Sequence, residues 1–450
     1  ARAAPATPGR SPRAAPDLAE LLPEWLRAAN ARELQAPPEL LPALLDAARA
    51  RADLRAEALR LGGERAVWLA RLRGGEWRFA LRAPGSGGAG GPGVPDLDDP
   101  AAVRSCWEEG LFAERAALLA AVRRREPSAA PALLATGWRQ EKAEDRLAFL
   151  DSLREGLCAG DEPFLEEALT DRSRNVRATA AELLTTLPGS ALAARMGVRA
   201  RAHVVLDRSE GRITVEAPHS CDAEMQHDGI EPKPPSGTGE RTWWLGQLVA
   251  AAPLEVWPEL FGGRSAEEIV ALPVADDWRA DLHAAWCRAA TRQQSADWAR
   301  ALLGAAADSG QGARLPGRDP ARLLAVLPAG ERADWVAGAV AAHGLSESFR
   351  LLGVCEVPWS GRLGDAVVDA LEIARDGGGY PWSFSGAMGL AERSLPPGHA
   401  DRLELLTRAT DDTPVDGSPG AVGYWSEAFQ RLVATLRIRS AMLAELSADG

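Results

Sequence analysis

The stretch Asp161–Arg195, DEPFLEEALTDRSRNVRATAAELLTTLPGSALAAR, decides the fold. Phe164, Leu165, Ala168 and Leu169 form a short apolar stripe. Val176, Ala180, Leu183, Leu184 and Leu187 then recur at i, i+4, i+7, i+8 and i+11, the period of a helix that buries one face. Between the stripes lies the polar turn Asp171-Arg172-Ser173. Either Asp171 or Ser173 has a side-chain oxygen able to accept the amide hydrogens left unpaired where the second helix begins. The spacing predicts two stacked helices joined by a chemically specified turn.

The same theme extends outward in both directions. Towards the N-terminus, residues 1–16 are Ala, Pro and Arg without periodicity and read as a disordered tail. Residues 17–81 read as a helical unit, with Leu40, Leu41, Leu44, Leu45 and Ala48 on one face and the pair Gly62-Gly63 breaking one helix before Ala66, Trp68 and Leu69 start the next. Residues 82–100 open with RAPGSGGAGGPGVP, a Gly and Pro linker that cannot hold secondary structure. Residues 101–200 carry helices marked by Trp107, Leu111, Leu118 and Leu119, then by Trp138, Leu147, Leu150, Leu153 and Leu157.

Beyond the opening stretch, the pattern changes at residues 201–240. Val204 with Leu206 and Ile213 with Val215 alternate with polar residues about the turn Ser209-Glu210-Gly211, a short β-hairpin followed by a polar loop. Residues 241–450 return to helices. Ser265 and Glu268 have the spacing of a capping box, and Trp278, Leu282, Ala285, Trp286 and Ala289 form a stripe followed by Trp298, Ala301, Leu302 and Ala305. LLTTLPGSALAARM from Leu183 parallels LLAVLPAGERADWV from Leu323, and SLPPGHADRL from Ser394 echoes both. Irregular self-similarity of this kind predicts an all-α, curved α-solenoid with a β-hairpin insertion, whose concave face binds another protein.

The helix-turn-helix unit resembles a HEAT repeat. In such repeats an acidic turn residue and a basic residue one turn into the second helix stand where Asp171 and Arg177 stand, which implies a salt bridge within or between repeats. LGGERAVWLA with Trp77 behind it, the 161–196 stretch, and HDGI followed by GERTWWLGQLVAAAPLEVW resemble an uncharacterised family of bacterial HEAT-like proteins, a domain of unknown function common in actinobacteria. That resemblance implies gene neighbours of three kinds: MoxR-type AAA ATPases, von Willebrand factor A proteins and SWIM zinc-finger proteins. It implies no catalytic or cofactor-binding residue.

Composition narrows the function classes. At 450 residues, 46% hydrophobic and 25% charged, the chain is long enough for two to four globular units or one elongated array. A net charge of -12 argues against nucleic acid and anionic lipid as partners, because phosphate binding needs clustered positive charge. Arg123-Arg124-Arg125 and the series Arg195, Arg199, Arg201, Arg208 and Arg212 are the local exceptions, and solvated helix faces look the same. Lys142 and Lys233 are the only lysines, a high-GC bacterial codon signature. Apolar runs stop short of a membrane span, so the expected location is cytoplasmic, although the chain begins at Ala1 rather than Met.

Reactive constellations are few. The five cysteines, Cys106, Cys158, Cys221, Cys287 and Cys355, are isolated and form no CxxC pair. His219, Cys221 and His227 gather possible metal ligands in one loop, but their spacing matches no standard zinc knuckle, and a solvated loop is the better reading. No Gly-Lys-Ser/Thr phosphate loop and no G-x-S-x-G elbow is present. Among the tryptophans, Trp286 and Trp298 read as core. The adjacent Trp243 and Trp244 point about 100° apart on a helix, which marks them as candidate partner-binding residues. The leading expectation is a non-catalytic protein-binding scaffold without cofactor. A HEAT-like DNA-binding or glycosylase protein and a metal-dependent enzyme using the 219–228 loop are the alternatives.

Overall fold

The structure, a computed structural model, describes residues 18–73, 75–81, 94–308, 319–407 and 421–447. The expected tail at 1–16 lies outside the described residues, as does all of the linker sequence from Arg82 to Gly93. Among the described residues the fold is all-α with one antiparallel hairpin. The hairpin pairs β1 (Val204–Asp207) with β2 (Arg212–Val215), in a register that sets Val204 opposite Val215 and Leu206 opposite Ile213. Val204 and Ile213 are fully buried, as alternation on one face requires. The main chain of Ile213 also bonds to Pro273 and Ala275, so the hairpin is tied to the chain that precedes helix Arg279–Arg292.

Contacts divide the chain into two compact units, 1–87 with 328–450, and 88–327. The first unit joins the two ends of the sequence, and the 241–450 segment is shared between the units. The boundary at Leu327/Pro328 falls within one of the Leu-Pro echoes. At all three echoes a helix stops at or just before the Leu, and the next helical turn starts after the Pro.

In the 88–327 unit, each helix packs mainly on near neighbours in sequence: Glu162–Ala168 on Arg174–Thr186, Ala191–His203 on Glu240–Ala251, and the latter on Arg279–Arg292. Phe164, Leu165, Ala168, Leu169, Val176, Ala180, Leu183 and Leu184 all lie in one core, and only Leu187, at the helix end, is half-buried. The capping box is present: Ser265 Oγ accepts the Glu268 N–H at 3.2 Å, and a Glu268 carboxylate oxygen accepts the Ser265 N–H at 2.8 Å. Leu111, expected in a stripe, is exposed because it precedes helix Phe112–Arg125 as its N-cap.

Buried ion pairs hold the turns of this unit. Arg123, fully buried, donates to Asp161 at 2.7 Å and to the carbonyls of Leu153, Glu155 and Pro127. Arg146 donates to Asp171 at 2.8 Å, with side-chain exposures of 2% and 7%. Here the expected Asp171–Arg177 salt bridge is corrected. The Asp171 carboxylate faces Arg146 of helix Ala143–Ser152, and Arg177 donates instead to the Asp171 main-chain carbonyl at 2.6 Å. A buried guanidinium without a counter-charge costs several kcal/mol, so Arg146 has the stronger claim on the carboxylate. Asp171 also accepts the Ser173 N–H at 2.7 Å, whereas the Ser173 hydroxyl makes no capping bond.

In the other unit, helices Leu18–Ala31 and Leu41–Ala50 pack on Arg55–Arg73, which breaks at Gly63, where φ is 53°. That conformation suits glycine alone among common residues. Leu41 and Leu45 are buried, but Leu40 lies before the helix and is exposed. Trp77 is buried with its indole N–H on Asp46 at 3.0 Å, while Trp68 is exposed. Arg439, fully buried on helix Ala421–Glu445, forks onto both carboxylate oxygens of Glu24, at 2.6 and 2.8 Å, and joins the last long helix to the first.

Candidate functional site

The sequence-predicted residues fall into two groups. His219, Cys221 and His227 do not converge. His219 is exposed and 3.6 Å from Glu216, Cys221 packs against the core, and His227 is exposed at the end of the short helix Ala223–His227. Asp222 caps that helix by accepting the Met225 N–H at 2.7 Å, which lets Met225 reach the core. Among the described residues no three His, Cys, Asp or Glu side chains are grouped to hold a metal ion. The loop's polar residues serve its own geometry.

Trp243 and Trp244 occupy a more informative place. Both indole N–H groups clasp the loop after Gly229: Trp243 donates to the Glu231 carbonyl at 2.9 Å and Trp244 to the Pro232 carbonyl at 2.8 Å. Gln247 binds both main-chain groups of Glu231, accepting its N–H at 2.9 Å and donating to its carbonyl at 3.1 Å. Trp244 is thereby buried, and Trp243 remains half-buried beside a cavity of about 310 Å³. At Gly229, φ is 91° and a Cβ would come within 2.5 Å of the Ala181 Cβ, so the loop rests directly on helix Arg174–Thr186.

The far wall of this cavity is formed by Arg288 and Arg292, one turn apart on helix Arg279–Arg292. Arg288 donates to the Gly246 carbonyl at 2.8 Å and Arg292 to the Ala250 carbonyl at 3.0 Å. Among the described residues neither has a carboxylate partner. Arg288 is exposed and Arg292 half-buried; loss of water lowers the Arg292 guanidinium pKa from its usual value, yet arginine stays charged in proteins. Each guanidinium carries five N–H donors, so most remain unused.

The carboxylates around the cavity are already spent. Asp228 is buried and held by Arg195 at 2.8 Å and by Arg199. Burial raises its pKa, but the two guanidinium partners outweigh that effect and hold the carboxyl below its usual value. Arg195 also reaches Glu166 at 3.1 Å, so one network ties two helices and the loop. Glu182 is bound by Arg154 through two bonds of 3.0 Å. The cavity therefore combines a half-buried indole, small apolar walls and two cations with spare donors.

Sequence reasoning passed over Arg288, Arg292 and Gln247, and read Asp228 only as part of the 219–228 loop. One signal was available: neither arginine has an acidic residue at i±3 or i±4 on its own helix, where an exposed helical arginine commonly finds one. A larger groove of about 1040 Å³ lies along Leu254, Glu267, Val270 and Trp298. Its Arg300 is paired with Asp297, and its Gln293 is consumed by the main chain at Ala252 and Leu254.

These features define a helical protein with a cavity in which an aromatic side chain and two cations meet. The chain belongs to a family of unknown function (DUF5691), which matches residues 9–446. No curated protein and no solved structure matches it. Among the described residues no helix is long and apolar enough to cross a membrane.

Proposed function

We propose that the chain is a non-catalytic scaffold of the HEAT-like, solenoid kind that binds a protein partner through the Trp243–Arg288–Arg292 cavity. The observation that carries this reading is the pair of guanidiniums with unused donors beside an accessible indole. Arg and Trp are the side chains that most often concentrate interface energy, and a guanidinium reads a carboxylate through two parallel bonds. The partner presents an acidic side chain, Asp or Glu, flanked by an apolar residue that covers Trp243. The chain's overall charge of -12 sets up no long-range attraction for such a partner, so recognition depends on this local patch.

The resemblance noted from the sequence supplies the first partners to test, a MoxR-type AAA ATPase and its von Willebrand factor A neighbour. Calorimetry with purified proteins from the same source checks the reading. Trp243→Ala and the double replacement Arg288→Ala/Arg292→Ala each weaken binding by about 30-fold or more, with helical circular dichroism unchanged. If the wild-type chain binds neither protein at micromolar concentration, the assignment of partner fails. If it binds and these variants bind as well, the assignment of site fails.

A further inference from the structure

A second cavity lies in the other unit and is independent of the first. Helix Ser385–Ser394 and helix Ala421–Glu445 run beside the turn Pro381–Phe384, and about 350 Å³ opens between them. Pro381 is buried and Phe384 packs on Trp425, while Trp382 projects outward. Trp425 is itself buried and donates its indole N–H to the Gly379 carbonyl at 2.6 Å, which fixes the turn from below. The outward residues are thus carried on a preorganised base.

Three aromatic rings meet on the outer side. Tyr380 stacks on Trp382, with centroids 4.3 Å apart and planes at 14°. Tyr424 stands almost upright against Trp382, at 5.4 Å and 72°. These are the only two tyrosines of the chain, and both adjoin the same indole. Trp382 is 56% exposed and Tyr424 52%, whereas Trp77, Trp257, Trp286 and Trp425 are fully buried. Tyr380 covers one face of the indole, and Trp382 and Tyr424 together line the cavity.

The rest of the cavity is apolar with two carboxylates and one guanidinium, that of Arg431. Met388 lines it, and Glu392 and Glu427 bring two carboxylates. Glu392 is forked by Arg431, at 2.9 and 3.2 Å, while Glu427 has no ion pair among the described residues. Burial pushes the Glu392 carboxyl above its usual pKa, with Arg431 opposing. Glu427 is therefore left without an ion pair of its own, among the described residues, beside the Trp382 and Tyr424 rings.

A π-face attracts a cation through its negative quadrupole, and the attraction grows as water is removed. A methylated ammonium fits this wall better than a primary one. Its charge is spread over methyl groups that lie flat on the rings, and it brings no N–H donors that the indole and phenol faces would leave unpaired. We propose that the Trp382–Tyr424 corner is a binding site for a quaternary ammonium group, which rests on the two rings and faces Glu427.

The test uses the full chain and choline as probe, followed by calorimetry and ligand-observed saturation-transfer NMR. Its neutral isostere, 3,3-dimethylbutanol, has the same shape without the charge. Choline binds saturably and the isostere binds at least about tenfold more weakly. Trp382→Leu weakens choline by about tenfold, and Glu427→Gln by a smaller factor. Both positions are exposed, so the variants keep the wild-type circular dichroism and melting profile. A peptide bearing trimethyllysine separates two sources of the same chemistry: tighter binding than choline assigns the site to a modified protein, and equal or weaker binding to a free small cation. Equal binding of choline and its isostere, no saturable choline binding, or choline binding unaffected by Trp382→Leu overturns the proposal.

Discussion

Arginine does opposite things in two regions of the 88–327 unit. At the turns, Arg123 and Arg146 are buried against Asp161 and Asp171, and Arg123 also has three carbonyl acceptors. At the cavity, Arg288 and Arg292 touch one carbonyl each and keep their remaining donors free among the described residues. A buried guanidinium that is fully satisfied fixes a geometry and has nothing left to offer a ligand. Arg288, exposed, and Arg292, half-buried, are only partly satisfied beside an opening, and the proposed partner takes up their remaining donors. The contrast separates residues that hold the helices in place from residues with donors to spare.

The largest expected effect tests the structural side of that contrast. Asp161→Ala leaves Arg123 buried without its counter-charge, and costs about 3 to 5 kcal/mol by urea denaturation. The paired replacement Arg123→Met/Asp161→Leu recovers most of the loss, because an apolar pair of similar volume removes both desolvated charges together. A double variant as unstable as the single one would show that the pair's carbonyl bonds, rather than its charges, organise the turn.

The next effect is smaller and depends on pH. The folded-state pKa of Asp228 lies below its unfolded value, so the folded protein binds that proton less readily. Its stabilisation is therefore present above the unfolded carboxylate pKa of about 3.9 and is lost as pH falls through that value towards the folded one. Asp228→Asn costs about 1 to 3 kcal/mol near neutral pH, and the gap between variant and wild type closes on acidification. A gap that stays constant down to pH values below the usual carboxylate range breaks this account.

Smaller again is the role of Arg177, which bonds a carbonyl instead of a carboxylate. Arg177→Met costs about 1 kcal/mol. Because Asp171→Ala leaves that carbonyl in place, the two changes add within about 0.5 kcal/mol. Arg146→Met and Asp171→Ala, by contrast, couple strongly. Strong coupling between positions 171 and 177 would restore the salt bridge that the sequence suggested.

The smallest effect on stability belongs to the cavity. Arg288→Met/Arg292→Met removes two main-chain bonds and one like-charge repulsion along a helix, and leaves stability within about 1 kcal/mol of wild type. Binding of the acidic partner falls all the same. A large loss of stability would move these arginines into the structural class and erase the difference between the two regions.

Much of the local structure was legible beforehand. The 164–187 stripes, the Gly63 break, the capping box at Ser265 and the hairpin register rest on contacts within a few residues or between adjacent segments, where periodicity and turn chemistry carry the information. The site was only half legible. Trp243 and Trp244 stood out as a tandem pair, but nothing in their spacing told which one the Glu231 loop would leave accessible.

The chain's sequence by itself determined that it is helical, where its helices stop, and that it carries one hairpin. Those outcomes follow from apolar period, Gly and Pro punctuation and capping residues, all of which act over one or two turns. Tertiary structure alone decided the pairings across long separations: Arg146 rather than Arg177 on Asp171, Arg439 on Glu24 from opposite ends of the chain, and two arginines left with unused donors at a cavity. The reason is physical. Which charge a carboxylate takes depends on which guanidinium has been stripped of water nearest to it, and desolvation is a property of the packed helices that no local window of residues contains.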